Sequence, residues 1–234
     1  MTTALLATTY FGPIQWYQKL YRYDKVQIEC CETFVKQTYR NRCLIATTQG
    51  VQALTVPVRS ERLKTPPSLP KGEEQSGGGA FAICSPTGRA GEVSLISDHG
   101  NWRHLHWQAL QSAYGDSSFF EYYEDDLRPF FTEHRWERLL DFNEAIRETM
   151  CELLDIHPHV EHTTSFLPPT TVAGNAQSAI ADFRAAIHPK HPQPDADFIA
   201  RPYYQVFASK HGFLPNLSIL DLLFNMGPES IFFL

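Results

Sequence analysis

Apolar and polar positions change rhythm along this chain, short apolar or alternating runs first and helical spacing later. The apolar run from Ala4 to Thr9 predicts a first strand, turned by Tyr10-Phe11-Gly12-Pro13. Pro13 fits a first helical position, where its missing N–H costs nothing, and a helix is predicted to Arg22 with Ile14, Tyr17 and Tyr21 on one face. Lys25 to Cys30 predicts a second strand. Leu44-Ile45-Ala46 and Val51 to Val56 predict a β-hairpin, joined by Thr47-Thr48-Gln49-Gly50 with a glycine where φ must be free. Residues Ser60 to Gly91 break every rhythm with Pro-Pro, Lys-Gly-Glu-Glu and Gly-Gly-Gly runs. They read as a long loop insert with one short strand at Ala80–Ile83, and a strand resumes at Glu92 to Ser97.

Helical spacing dominates the second half. Behind a cap at Asp98 or Asn101, the residues Trp102, Leu105, Ala109, Leu110, Ala113 and Tyr114 share one face, with His104 and Trp107 to its side. An aromatic segment begins at Phe119 and is broken at Pro129. From Trp136 to Leu154 a stripe of Trp136, Leu139, Leu140, Ile146, Met150, Leu153 and Leu154 predicts the strongest helix. Asn143 intrudes on that stripe, and a buried amide there needs a neighbouring backbone or a pocket. His159 to Phe166 predicts a strand, Ala176 to Ala186 a weak helix, and His188 to Pro194 an extended polyproline-like run. The closing stretch, Asn216 to Met226, is apolar nearly all round, so it predicts a buried helix stopped by Gly227-Pro228. Together these elements predict a single α/β domain over residues 1–234. A mixed sheet from the N-terminal half packs against helices mostly from the C-terminal half, with an insert near 60–91.

The 234 residues have globular composition, 43% hydrophobic, and carry a formal net charge of −6. An acidic chain argues against broad nucleic-acid binding. No apolar run reaches membrane-spanning length and no signal peptide opens the chain, which gives a cytoplasmic expectation. Five cysteines in no CxxC spacing are expected as reduced thiols.

Against that acidity, Lys36, Arg40 and Arg42 put three cations within seven residues, interleaved with Tyr39 and Asn41. In an extended segment the three cations share one face. Such a face suits a carboxylate or phosphate, although ordinary ion pairs on a solvated strand use the same charges. In the closing helix Ser218, Asp221 and Asn225 form one narrow polar stripe. A carboxylate there is costly unless paired, so Asp221 is expected to meet Lys36, Arg40 or Arg42. The strand–turn–helix opening adds Tyr10, Phe11 and Gln15 as ligand candidates at a helix N-terminus. Ten histidines form no HExxH or Cys/His zinc spacing, so no metal is expected. No GxSxG elbow or cysteine-nucleophile signature is present, and no cofactor fingerprint. His104, His188 and Asp221 are the only candidates for a catalytic group. Residue types alone support a pocket for an anion and do not specify a reaction.

Five stretches together resemble the WbqC-like family, in the form found in Bacteroides-type bacteria. They are Tyr10-Phe11-Gly12-Pro13, Lys36-Gln37-Thr38-Tyr39-Arg40-Asn41-Arg42, Leu54-Thr55-Val56-Pro57-Val58, Trp107 to Phe120 and Leu217 to Gly227. The long insert and the His188–Pro192 segment depart from the family pattern. The resemblance implies a transferase of surface-polysaccharide (O-antigen) biosynthesis, moving an aminoacyl, glycyl or acyl group onto a nucleotide-linked sugar. It implies a small anionic partner, a sugar nucleotide or acyl carrier. Lys36, Asn41 and Arg42 are the first binding positions it suggests, then Asp221 and Asn225, then Tyr10 and Gln15. A non-catalytic protein that holds a sugar nucleotide or a partner enzyme is the alternative.

Overall fold

The computed structural model describes residues 2–32, 34–62, 92–168 and 180–234. Four strands, β1 (Thr3–Ala7), β2 (Lys25–Glu29), β7 (Val160–His162) and β8 (Ile180–Asp182), form a sheet in the order β7-β2-β1-β8. Every pairing in it is parallel, with Ala7 beside Glu29, Leu5 beside Asp182 and Ile28 beside His162. Strands buried on both faces need apolar runs, and Ala4, Leu5 and Leu6 of β1 are fully buried.

Antiparallel pairing occurs in two separate ribbons. β3 (Arg42–Thr47) and β4 (Gly50–Thr55) make the expected hairpin, closed by Thr48-Gln49, and Gly50 takes φ +104° where a side chain would be strained. β5 (Val58–Arg62) pairs with β6 (Glu92–Ile96). The proposed strand at Ala80–Ile83 lies outside the described residues. So does the start of the weak helix at Ala176–Ala186, residues 176–179, and its described part corrects the expectation: Ile180–Asp182 is a strand, pairing with β1.

Helices α1 (Ile14–Arg22), α2 (Trp102–Tyr114), α3 (Phe120–Leu127), α4 (Pro129–Thr132), α5 (Leu139–Leu153), α6 (Ala208–His211) and α7 (Ile219–Met226) complete the α/β architecture, mostly from the C-terminal half as expected. Among the described residues no helix is long and apolar enough to cross a membrane. The buried face of α2 is rotated from the expected one: Leu105 is 55% exposed, whereas Arg103 and His106 are buried. Arg103 accounts for the rotation, lying over the Trp102 ring at 4.4 Å and donating to the Phe130 carbonyl. Asn143 of α5, the polar intruder, donates to the Arg40 carbonyl at 2.8 Å. Cys30, Cys43 and Cys151 are free thiols, but Cys31 is disulfide-bonded, which corrects the expectation for that residue.

Helix α7 is buried along seven of its residues, as its composition demands. Its cap Ser218 accepts the Leu220 N–H and donates to the Phe11 carbonyl, and the Ile219 N–H meets the Gly12 carbonyl. Asp221 is fully buried, and its partners differ from those expected. It accepts hydrogen bonds from Tyr114 (2.8 Å), Tyr203 (2.5 Å) and Gln205 (2.9 Å), not from Lys36, Arg40 or Arg42. Neutral hydroxyl and amide donors satisfy a carboxylate without desolvating a second charge. Burial still pushes its pKa up against those three bonds. The Tyr114 hydroxyl also accepts the Ala46 N–H, so one knot joins α2, β3 and α7. A second buried bond joins Tyr10 to His106 Nδ1 at 2.9 Å, and the His106 ring is held at the Thr55 backbone. Burial lowers the His106 pKa to about 4.

Two outcomes follow from these buried groups. Asp221→Ala leaves the Tyr114 and Tyr203 hydroxyls without their acceptor, while the Gln205 amide keeps the Leu214 carbonyl, and denaturant unfolding should show a loss of about 3 kcal/mol or more; a loss below about 1 kcal/mol contradicts the knot. His106 is neutral in the fold and takes up a proton on unfolding. Its stabilising effect is therefore intact above pH 6.5 and is lost as pH falls toward 4, by about 3 kcal/mol in all. Urea unfolding across that range should show this slope in the wild type and not in His106→Asn; equal slopes contradict a neutral buried ring.

Candidate functional site

Parallel strands end together, and in open α/β sheets ligands bind beyond the carboxyl ends. Here a small hollow of about 10 Å³, room for about one water, opens at that edge, just past β1 and β8, with Thr8, Thr9, Tyr39, Arg40, Arg184 and His188 among its lining residues. Four parts of the chain meet there, each held by identifiable bonds.

The segment from Phe34 to Asn41 forms turns and bends, so the period-two face expected for Lys36, Arg40 and Arg42 does not exist. What the segment does instead is close one wall. The Tyr10 N–H donates to the Tyr39 carbonyl at 2.8 Å, and Asn143 holds the next carbonyl. Tyr39 is buried, and burial pushes its phenol up to about 12, so it stays protonated. Arg40 gives its Nε to Glu32 at 2.9 Å and pairs through one terminal nitrogen with the same carboxylate. Its guanidinium has a further nitrogen to offer a ligand.

Thr8 and Thr9 extend β1 into the cleft. Both hydroxyls are buried and have no hydrogen-bond partner among the described residues. Unsatisfied buried hydroxyls are costly, and a bound oxygen or water would satisfy them. Arg184, by contrast, is fully committed. It bonds Asp182 through two nitrogens (2.9 and 2.6 Å), the Leu167 carbonyl (2.8 Å) and Glu29 (3.3 Å). Glu29 also accepts the Cys31 N–H, the Leu167 N–H and the Thr163 hydroxyl, which locks the ends of β2, β7 and β8 together.

The fourth part is the run after β8, which carries His188 over the cleft. His188 Nδ1 accepts the backbone N–H groups of Lys190 (3.1 Å) and His191 (3.0 Å), and the two imidazoles stack at 5.8 Å. Burial lowers the His188 pKa, and the charges of His191, Arg40 and Lys190 lower it further. The run is fastened downstream by Asp195, which pairs with the buried Lys19 at 2.8 Å and accepts from Gln15 at 2.8 Å. Burial alone would raise the Asp195 pKa, but Lys19 and Gln15 win and lower it.

The other sequence candidates lie elsewhere. Lys36 is exposed on the turn ahead of Arg40. Arg42 donates to the Thr55 hydroxyl on the hairpin, and Asn41 is buried with its amide on the Val56 carbonyl. Tyr10 is a core residue, and Asn225 donates to the Asp221 carbonyl. His104 is exposed on α2. The first amides of α1 are taken by protein acceptors, Ile14 N–H by Leu217 and Gln15 N–H by Asn216 Oδ1 (2.9 Å), which corrects the idea of an open anion seat at that helix. Thr8, Thr9 and Arg184 were not among the candidates; a Thr-Thr pair directly after an apolar parallel strand was the available signal. Among the described residues no group of three or more His, Cys, Asp or Glu is placed to hold a metal ion.

The family profile described as the WbqC-like protein family matches residues 8–66 and 89–191, more than half of the chain. An uncharacterized protein of Mycobacterium tuberculosis, Rv1507c, is 26% identical over 239 residues, spanning 94% of this chain and 89% of that one. No solved structure matches.

The fastening of the His188 run is directly testable. Asp195→Ala leaves the Lys19 ammonium buried without its counter-charge and should cost about 3–5 kcal/mol in urea unfolding; a cost below about 1 kcal/mol contradicts the buried pair.

Proposed function

The chain belongs to the WbqC-like protein family, and from that premise we propose that it seats the phosphate of a nucleotide-linked sugar or acyl carrier in the cleft beyond β1 and β8. In this reading it is a cytoplasmic transferase of surface-polysaccharide assembly, moving an aminoacyl, glycyl or acyl group onto the sugar. The observation that carries the reading is the meeting of Arg40 with two buried, unpartnered hydroxyls at the carboxyl edge of a parallel sheet. Phosphate oxygens accept well from a guanidinium and from hydroxyls together. Lys36, exposed on the same segment, adds positive charge outside the cleft.

A second reading, a protein that holds such a ligand without turning it over, is favoured by one feature of the lining. Its described residues offer hydrogen-bond donors and no carboxylate or thiol to serve as base or nucleophile.

A thermal-shift and calorimetric panel of nucleoside diphosphate sugars and phosphopantetheine carriers tests both. One class should bind, and Arg40→Gln should weaken it roughly tenfold or more, while Arg135→Ala on the exposed surface leaves it unchanged. Turnover with a matched donor and acceptor selects the transferase; binding without turnover selects the holding protein. Equal affinity for wild type and Arg40→Gln overturns the cleft as the seat.

A further inference from the structure

His188 entered as a candidate general base, and its hydrogen bonds assign it a different task. An imidazole has two ring nitrogens, and a neutral ring carries its proton on one of them. The backbone N–H groups of Lys190 and His191 both point at Nδ1, at 3.1 and 3.0 Å. An atom that accepts two hydrogen bonds holds no proton, so Nδ1 is the bare nitrogen and Nε2 bears the hydrogen. Nδ1 is turned back onto its own chain, which leaves Nε2–H as the polar atom His188 can offer the cleft it lines.

The charges around the ring favour the uncharged form. Arg40, paired with Glu32, and Arg184, paired with Asp182 and Glu29, line the same cleft. Lys190 and His191 flank it on its own segment. Burial and three of these neighbours, His191, Arg40 and Lys190, each push its pKa down. A ring in this state cannot take a proton at Nε2, because that position is already filled. It can donate one hydrogen bond.

We propose that His188 binds as a neutral donor, its tautomer locked by the Lys190 and His191 amides, and gives Nε2–H to a phosphoryl oxygen of the ligand beside Arg40. The inference rests on the cleft being the ligand seat, and its test separates the two. It also explains a division of labour: Arg40 supplies charge, and His188, Thr8 and Thr9 supply neutral hydrogen bonds for as long as the ring stays uncharged. A charged imidazole in the same place would tighten binding as pH falls through 6.5.

The experiment uses the full chain labelled with ¹⁵N-histidine, with His188 assigned by its loss in His188→Asn. Two-bond ¹H–¹⁵N spectra at pH 7 should show Nδ1 as the unprotonated nitrogen and Nε2 as the protonated one. UDP-glucose, whose diphosphate keeps the same charge between pH 5.5 and 8, should then shift the Nε2 resonance without changing the tautomer. Its affinity should stay within about twofold across that range. His188→Leu should weaken binding roughly fivefold, the worth of one neutral hydrogen bond, and His188→Gln should restore most of it through its amide N–H. A proton on Nδ1, a doubly protonated ring, or affinity rising severalfold toward pH 5.5 overturns the proposal. In those cases loss of binding in Arg40→Gln still stands for the cleft itself. If UDP-glucose does not bind, the proposal falls, while the cleft stands where another member of the panel binds and Arg40→Gln weakens it.

Discussion

Parallel pairing sets Ala7 beside Glu29 and Leu5 beside Asp182, and that register decides which residues can act together. Strands that run the same way deliver their carboxyl ends to one edge, however far apart they lie in the chain. β1 and β2 come from the first thirty residues, β7 and β8 from beyond residue 159. Their ends would splay without a bond across them, and Glu29 is that bond. It is almost wholly buried, and it satisfies two backbone amides, a threonine hydroxyl and a guanidinium from three separate segments. A carboxylate with four donors is tolerated where an unpaired one is not. The cleft exists because this edge is held shut on one side and left open above Thr8 and Thr9.

Buried polar groups in this protein fall into two kinds, saturated and unsatisfied, and an unsatisfied group bears on ligand binding where it also lines a cleft. Asp221, Glu29, Gln15 and Lys19 are saturated: each has its partners within the protein, and each ties distant elements together. The hydroxyls of Thr8 and Thr9 are not, and neither are single side-chain atoms of Gln18, Gln27, Asn41, Arg138, Asn143 and Asn225; of these eight residues the two threonines line the cleft. Saturated groups stabilise and specify packing; unsatisfied ones leave free energy for a ligand to recover. Arg40 lies between the two kinds, with Glu32 orienting a fork that is only partly used.

Much of the fold was legible because its signals are local. Apolar runs gave β1 and β2, Gly50 gave the hairpin, and the stripe from Leu139 to Leu153 gave α5. The closing helix was recognisable because almost every residue in it is apolar. Three residues of β8 carry no such signal; only their pairing with β1 makes them a strand. On the site, Arg40, Tyr39 and His188 were legible as residue types, but their neighbours were not. The cations of the 36–42 run look equivalent in sequence and part company in space. The backbone turns between them, sending Arg42 to Thr55 and Arg40 to the sheet edge. Asp221 misled for a related reason. A lone acid among apolar residues asks for a cation, and nothing local reveals that Tyr114, Tyr203 and Gln205 will converge on it.

The location of the ligand decides whether this edge of the sheet is the seat. Crystals of the protein soaked with a nucleoside diphosphate sugar measure that directly through difference density. Phosphate density is expected beyond the carboxyl ends of β1 and β8, within hydrogen-bonding distance of Arg40 and the Thr8 hydroxyl. Well-ordered phosphate density at another place on the molecule, with that edge holding only water, would contradict it.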